Sequence, residues 1–172
     1  HREENIDFKK NLKKIVEILN LLSEEYNLPI IVSTHPRTKK RLDNHNAKFS
    51  QKIKFLKPFC FTDYINLQVN SLVVISDSGT IAEEASVLNL PAVTIRQAHE
   101  RPEGMDETTV IMSGLRKGRI IDSVEIATSH QAEVKRAIKP VKDYETDNVS
   151  KKVLRIIVSY IDYVNRTVWH KE

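Results

Sequence analysis

Apolar positions recur along the chain with two periods. Between Asp7 and Tyr26, Phe8, Leu12, Ile15, Val16, Leu19 and Leu22 fall on one stripe at three- and four-residue spacing, which predicts an amphipathic helix. Short β-branched runs follow: "IIVST" (Ile30 to Thr34), "IKFL" (Ile53 to Leu56), "LVVIS" (Leu72 to Ser76), "AVTIR" (Ala92 to Arg96) and "TVIMSG" (Thr109 to Gly114). Each has the length and composition of a strand. Between them, Thr62 to Asn70 reads as a short helix with Thr62 or Asp63 near its cap. Thr80 to Leu88 reads as a second, stopped by a left-handed Asn89 ahead of Pro91, and Arg119 to Ile138 as a third, with Pro140 beyond it. "HPRTKKRL" and "QAHERPEGMDET" read as loops, and Asp43 to Lys52 as a helix tail that loosens into a loop. Val149, Val153, Leu154, Ile157, Val158, Ile161 and Val164 form the stripe of a terminal helix over about 147–170.

The strands are continuous apolar runs that alternate with helices, the pattern of a parallel sheet covered on both faces. The expected fold is therefore α/β, a Rossmann-like doubly wound parallel sheet, formed by residues 1–172 as one domain. Composition agrees: 40% of the residues are hydrophobic and 29% charged, as in a soluble globular chain. Apolar runs such as Leu72 to Ile75 fall far short of the roughly 18 residues of a membrane span, so no membrane insertion is expected. The N-terminus lacks the pattern of a secretory leader, and the single cysteine, Cys60, excludes an internal disulfide and a cysteine zinc site. A cytoplasmic protein without metal or cofactor is the expectation. The net charge of +4 comes from lysines scattered over helical faces without interleaved aromatics, which argues against nucleic acid and suits an anionic small molecule.

One stretch concentrates candidate chemistry. "SDSGTIAEE" lies where a strand hands over to a helix, and in open α/β sheets ligands bind at the carboxyl ends of strands. A helix N-terminus offers free N–H groups and about half a positive charge, a natural seat for phosphate. Gly79 would admit a ligand close to the backbone, and Ser78 and Thr80 carry hydroxyl donors. The plainer alternative is that Asp77 or Ser78 caps the helix. Glu83 and Glu84 stand one turn further in, either as acceptors for a ribose diol or as a solvated pair that favours the helix start. The loop after the next strand carries Arg96, His99, Glu100, Arg101 and Glu103, and it either supplies a guanidinium to a diphosphate or is a solvated surface loop. Two such loops after adjacent strands converge on one sheet edge, which favours a site. His45, His130 and His170 have no ligand-like spacing and read as surface or packing residues.

Taken together, "HREEN" (His1 to Asn5), "SDSGTIAEEA" (Ser76 to Ala85) and "HERPEG" (His99 to Gly104) resemble the non-hydrolysing UDP-N-acetylglucosamine 2-epimerases in order and spacing, over nearly the whole chain and most weakly beyond Lys117. The resemblance implies the C-terminal domain of a two-domain enzyme of GT-B type, with a nucleotide sugar held in the cleft between the domains. It implies that Ser78, Gly79 and the Thr80 backbone contact the diphosphate, that Glu84 holds the ribose, and that Arg101 joins the sugar-diphosphate pocket. His1 matches a histidine that lines the active site, and Tyr64 falls where the family places an aromatic ring near uracil. Arg2 and His35 match, loosely, positions that touch a second, regulatory nucleotide sugar in some bacterial members. Thr80 stands where a second glycine is often found, and "THPRTKKRL" differs from the family's usual histidine loop.

The longer string "IRQAHERPEGMDETTVIMSGL" is similar to a subgroup acting on UDP-2-acetamido-2,6-dideoxy-L-talose, which forms the N-acetyl-L-fucosamine nucleotide for capsule or O-antigen. The implied partners are a UDP-amino sugar, an N-terminal domain bearing the acid/base carboxylates, and a second copy of the protein. No strand-like run precedes the loop at His1, so the chain reads as a fragment whose preceding strand and first domain lie elsewhere. A glycosyltransferase of the same two-domain arrangement and a non-catalytic nucleotide-sugar module are the competing readings.

Overall fold

The computed structural model describes residues 8–44, 47–98, 101–133, 136 and 138–171. The chain divides into two compact units, His1–Val141 and Lys142–Glu172.

In the larger unit, helix α1 (Lys9–Tyr26) buries Leu12, Ile18 and Leu22, and two of these, Leu12 and Leu22, are positions of the expected apolar stripe. It ends at Asn27, whose left-handed φ of 53° suits a residue that tolerates that region. Strand β1 (Ile30–Ser33) pairs in parallel with β2 (Ile53–Leu56), in register from Ile30 with Ile53 to Ser33 with Leu56. A second sheet contains β3 (Val74–Ser76), β4 (Ala92–Thr94) and β5 (Ile111–Met112) in that order, again all parallel. The five expected strands are thus present and parallel but fall into two hydrogen-bonded sheets. Among the described residues, β1 has a strand neighbour only in β2, and β3 only in β4.

Helices cover both faces of the second sheet, and the alternation of strand side chains shows it. In β4, Val93 packs with Ile18 and Leu22 of α1 and with Ile120 and Val124 of α6 (Lys117–Glu133). Its neighbour Ala92 packs instead with Ile81, Ala82 and Ala85 of α4 (Ile81–Leu88). β3 repeats the division, Ile75 facing the first cluster and Val74 the second. Val93, Ile120 and Val124 are fully buried, and Ile30 of β1 packs against the same cluster, so both sheets contribute to one core. The fold is the α/β, doubly wound arrangement that the pattern predicts.

Two helices occupy stretches that read as loops. α2 (Pro36–Asn44) follows β1 and is built largely from lysine and arginine, which are good helix formers, with proline at its first position. It carries a single buried apolar side chain, Leu42, so no apolar stripe announces it. α5 (Pro102–Asp106) lies inside the charged loop after β4, with Pro102 again opening the helix. α3 (Phe61–Val69) and α4 lie close to expectation, and α4 stops at Asn89 with φ 56°. In the smaller unit, a 3-10 turn (Lys142–Glu145) leads to α7 (Val149–Thr167), which carries the expected apolar stripe. Among the described residues no helix is long and apolar enough to cross a membrane.

Candidate functional site

The turn between β3 and α4 is held by its own hydroxyls. The Ser78 N–H donates to Ser76 Oγ at 3.0 Å, and the Thr80 N–H donates to Ser78 Oγ at 3.3 Å. The hydroxyls of Ser78 and Thr80 lie 3.0 Å apart. Gly79 is half-buried between them. Thr80 occupies the N-cap of α4 yet makes no side-chain cap bond. Its hydroxyl donates instead to Glu84 Oε1 at 2.6 Å, one turn along the helix. Of the capping alternatives, Ser78 accepts from the Thr80 N–H, just ahead of the helix. The start of α4 is the kind of helix N-terminus at which anions bind.

Glu83 and Glu84, both half-buried in the first turn of α4, face different partners. Arg101, at the N-cap of α5, donates from Nε to Glu83 Oε1 at 2.7 Å. This bond ties the loop after β4 to the helix after β3, which is the convergence expected of the two polar loops. Buried Gly104 permits the approach, since a Cβ there would stand 3.0 Å from the Ala82 Cβ on α4. Arg96, at the end of β4, is buried despite its charge.

Glu84 turns the other way, toward α3. There Gln68 donates from Nε2 to Glu84 Oε2 at 2.5 Å. Tyr64, one turn before Gln68 on the same helix, is half-buried; burial and then the Glu84 carboxylate push its phenol above the ordinary tyrosine range. Thr80 and Gln68 thus meet at the Glu84 carboxylate, Ser78 bonds Thr80, Tyr64 feels the charge of Glu84, and Arg101 reaches the same helix through Glu83. His35 belongs to a different loop, after β1 at the entry to α2, where its Nδ1 accepts the Arg37 N–H at 3.2 Å. His1 and Arg2 lie outside the described residues, as do His99 and Glu100.

Residues 1–158 match the family described as UDP-N-acetylglucosamine 2-epimerase. The chain belongs to the UDP-N-acetylglucosamine 2-epimerase family. A relative of that name from Methanocaldococcus jannaschii is 41% identical over 130 residues, covering 73% of this chain and 36% of the relative. A solved UDP-N-acetylglucosamine 2-epimerase from Rickettsia bellii superposes with a TM-score of 0.83 at 53% identity, covering 95% of this chain and 45% of that one. The M. jannaschii epimerase solved in complex with UDP-GlcNAc and UDP gives a TM-score of 0.81 at 36% identity, over 92% of this chain and 43% of its own. The chain spans less than half the length of these epimerases.

Within this epimerase-family chain, the sequence motifs point to the Ser78, Thr80 and Glu84 cluster but not to what supports it. Gln68 sits in an ordinary-looking amphipathic stretch, and only a polar residue on the buried face of a short helix could mark it. The pairing of Arg101 with Glu83 is equally hidden, because Glu83 and Glu84 are neighbours in sequence and only the helix separates their directions.

Proposed function

We propose that the chain is the UDP-binding half of an epimerase that inverts C2 of a UDP-N-acetyl amino sugar. The diphosphate rests on the backbone at residues 78–80, in the turn just before α4, where it takes the place of the Ser76 and Ser78 hydroxyls as acceptor for the Ser78 and Thr80 N–H groups, with the Ser78 hydroxyl as a further donor. Glu84 accepts from the ribose hydroxyls, Tyr64 flanks the base, and Arg101 supplies a cation to the diphosphate. His1 assists at the reacting centre, and Arg2 and His35 serve a second nucleotide sugar. The observation that carries this reading is the Ser78, Thr80 and Glu84 cluster at the strand end, with Arg101 tied to the same helix, in a chain of this family.

The chemistry follows from the carbon that must be inverted. The hydrogen at C2 of a 2-acetamido sugar is not acidic, so direct deprotonation is a poor route. Anti elimination of UDP breaks the C1–O bond and removes the C2 proton to a base, leaving a 2-acetamidoglycal; re-addition of UDP with protonation on the other face gives the epimer. This half would stabilise the departing diphosphate with backbone N–H groups and a guanidinium, and the acid and base carboxylates belong to an N-terminal domain. The product is an amino-sugar nucleotide suited to capsule or O-antigen assembly, and the protein works as a homodimer in the cytoplasm.

Incubating the full-length protein with UDP-N-acetylglucosamine or UDP-2-acetamido-2,6-dideoxy-L-talose in deuterated water tests the reading. An epimerase of this kind incorporates deuterium at C2 without an acceptor, whereas a glycosyltransferase leaves C2 unlabelled. On the chain itself, Glu84→Gln and Arg101→Ala should each weaken UDP binding; unchanged binding would contradict the nucleotide site.

A further inference from the structure

Gln68 is 4% exposed, an unusual place for a primary amide, which is costly to bury unless hydrogen-bonded. It lies four residues after Tyr64 on α3, so the two share one helical face. Its Nε2 meets Glu84 Oε2 at 2.5 Å, while its Oε1 is buried with no hydrogen-bond partner among the described residues. Turning the amide over would relieve nothing, because it would set Oε1 against a carboxylate oxygen, acceptor against acceptor. The fold therefore leaves one acceptor unsatisfied so that a donor stays on Glu84.

The two oxygens of Glu84 are held differently. Oε2 is gripped by the buried amide of another helix, and Oε1 by the hydroxyl of Thr80, an exposed residue at the cap of its own helix. A ligand arriving from solvent can replace the Thr80 hydroxyl at Oε1, but it cannot reach past a buried side chain to replace Gln68 at Oε2.

We propose that Gln68 is a positioning residue of the nucleotide site. It clamps Glu84 Oε2 from the buried side, fixes the rotamer of a side chain with three free torsions, and leaves Oε1 as the oxygen that accepts the ribose hydroxyl. This rests on the reading of Glu84 as the ribose acceptor. The consequence is that selectivity for ribose over deoxyribose depends on a residue that never touches the nucleotide.

Equilibrium titration of the chain with UDP and with 2′-deoxy-UDP tests it, in the unchanged protein and in Glu84→Gln, Gln68→Met and Gln68→Leu. The unchanged protein should prefer UDP by about tenfold, as one hydrogen bond to a charged group allows, and Glu84→Gln should abolish most of that preference. Gln68→Met removes the donor and should narrow the preference at least about threefold while leaving 2′-deoxy-UDP affinity near its original value. Gln68→Leu removes the donor with a different apolar shape and should narrow the preference too, so the test survives if the methionine variant fails to fold. A folded variant of either kind that keeps the original preference, or loses affinity for both ligands in equal proportion, would overturn the positioning role. If the unchanged protein shows no preference and Glu84→Gln binds UDP normally, the ribose reading fails first and the role of Gln68 fails with it.

Discussion

Arg101 and Glu83 meet at 2.7 Å across two segments that follow adjacent parallel strands, the guanidinium entering from the N-cap of α5 and the carboxylate from the first turn of α4. The side chains are 39% and 30% exposed, so solvent screening limits the pair's contribution to folding to about 0–1 kcal/mol. In the proposed nucleotide site its role is to aim Arg101. Glu83→Gln should therefore leave the melting temperature within a few degrees of the original while weakening UDP affinity severalfold, as calorimetry on the same sample would show. Arg101→Ala, which removes the cation itself, should cost about tenfold or more in affinity.

The glycines offer a test of packing that needs no ligand. At Gly104 a methyl group would stand 3.0 Å from the Ala82 Cβ and 3.4 Å from Thr109 Oγ1, so α5 must move away from α4. Gly104→Ala should destabilise by about 1–3 kcal/mol and should also weaken UDP binding, because Arg101 moves with α5. At Gly118, in the first turn of α6, a methyl group would meet nothing within 4 Å, and Gly118→Ala should stabilise by about 0.5–1 kcal/mol through the helix preference for alanine. Paired thermal melts of the two variants, moving in opposite directions, would verify both environments.

The core makes a sharper demand. Ile120 is fully buried where α6 meets α1 and β4, and Ile120→Ala should cost about 2–5 kcal/mol, measured by denaturant unfolding.

Tyr64 gives the site a pH signature. Burial, and after it the Glu84 carboxylate, raise its phenol above 10.0, so the folded state holds this proton more tightly than the unfolded chain. The stabilisation is fully present below pH about 10 and is lost as the pH rises through the folded-state value. Ultraviolet titration should show phenolate absorbance that appears above the normal tyrosine range and shrinks by the share of a single tyrosine in Tyr64→Phe, the remainder belonging to Tyr26, which burial and the Glu125 carboxylate also raise. Glu84→Gln should lower that titration point only part of the way, because burial, the larger cause, remains.

The strands and long helices were legible because their apolar residues repeat at the right period. The α2 and α5 helices were not, since one is a charged helix with a single buried leucine and the other is one turn inside a polar loop. The break between the two sheets was invisible as well, because an apolar run declares a strand but not its neighbour. At the site, residue type and position after a strand marked Ser78, Gly79, Thr80, the Glu83 and Glu84 pair and the charged loop around Arg101 as candidates, with a plain helix cap and solvated charges as the alternatives; the choice of Glu84 and Arg101 came from the family resemblance. Which carboxylate faced which partner was decided by a helical rotation, and Gln68 by burial, neither of which a one-dimensional pattern carries.

A crystal structure of the chain soaked with UDP shows where a diphosphate rests. Phosphate oxygens should lie within hydrogen-bond distance of the backbone N–H groups at residues 78–80, in place of the Ser76 and Ser78 hydroxyls, and a ribose hydroxyl should lie on Glu84 Oε1 with the Thr80 hydroxyl displaced. A nucleotide bound elsewhere on the chain, with the start of α4 left empty, would contradict the proposed site.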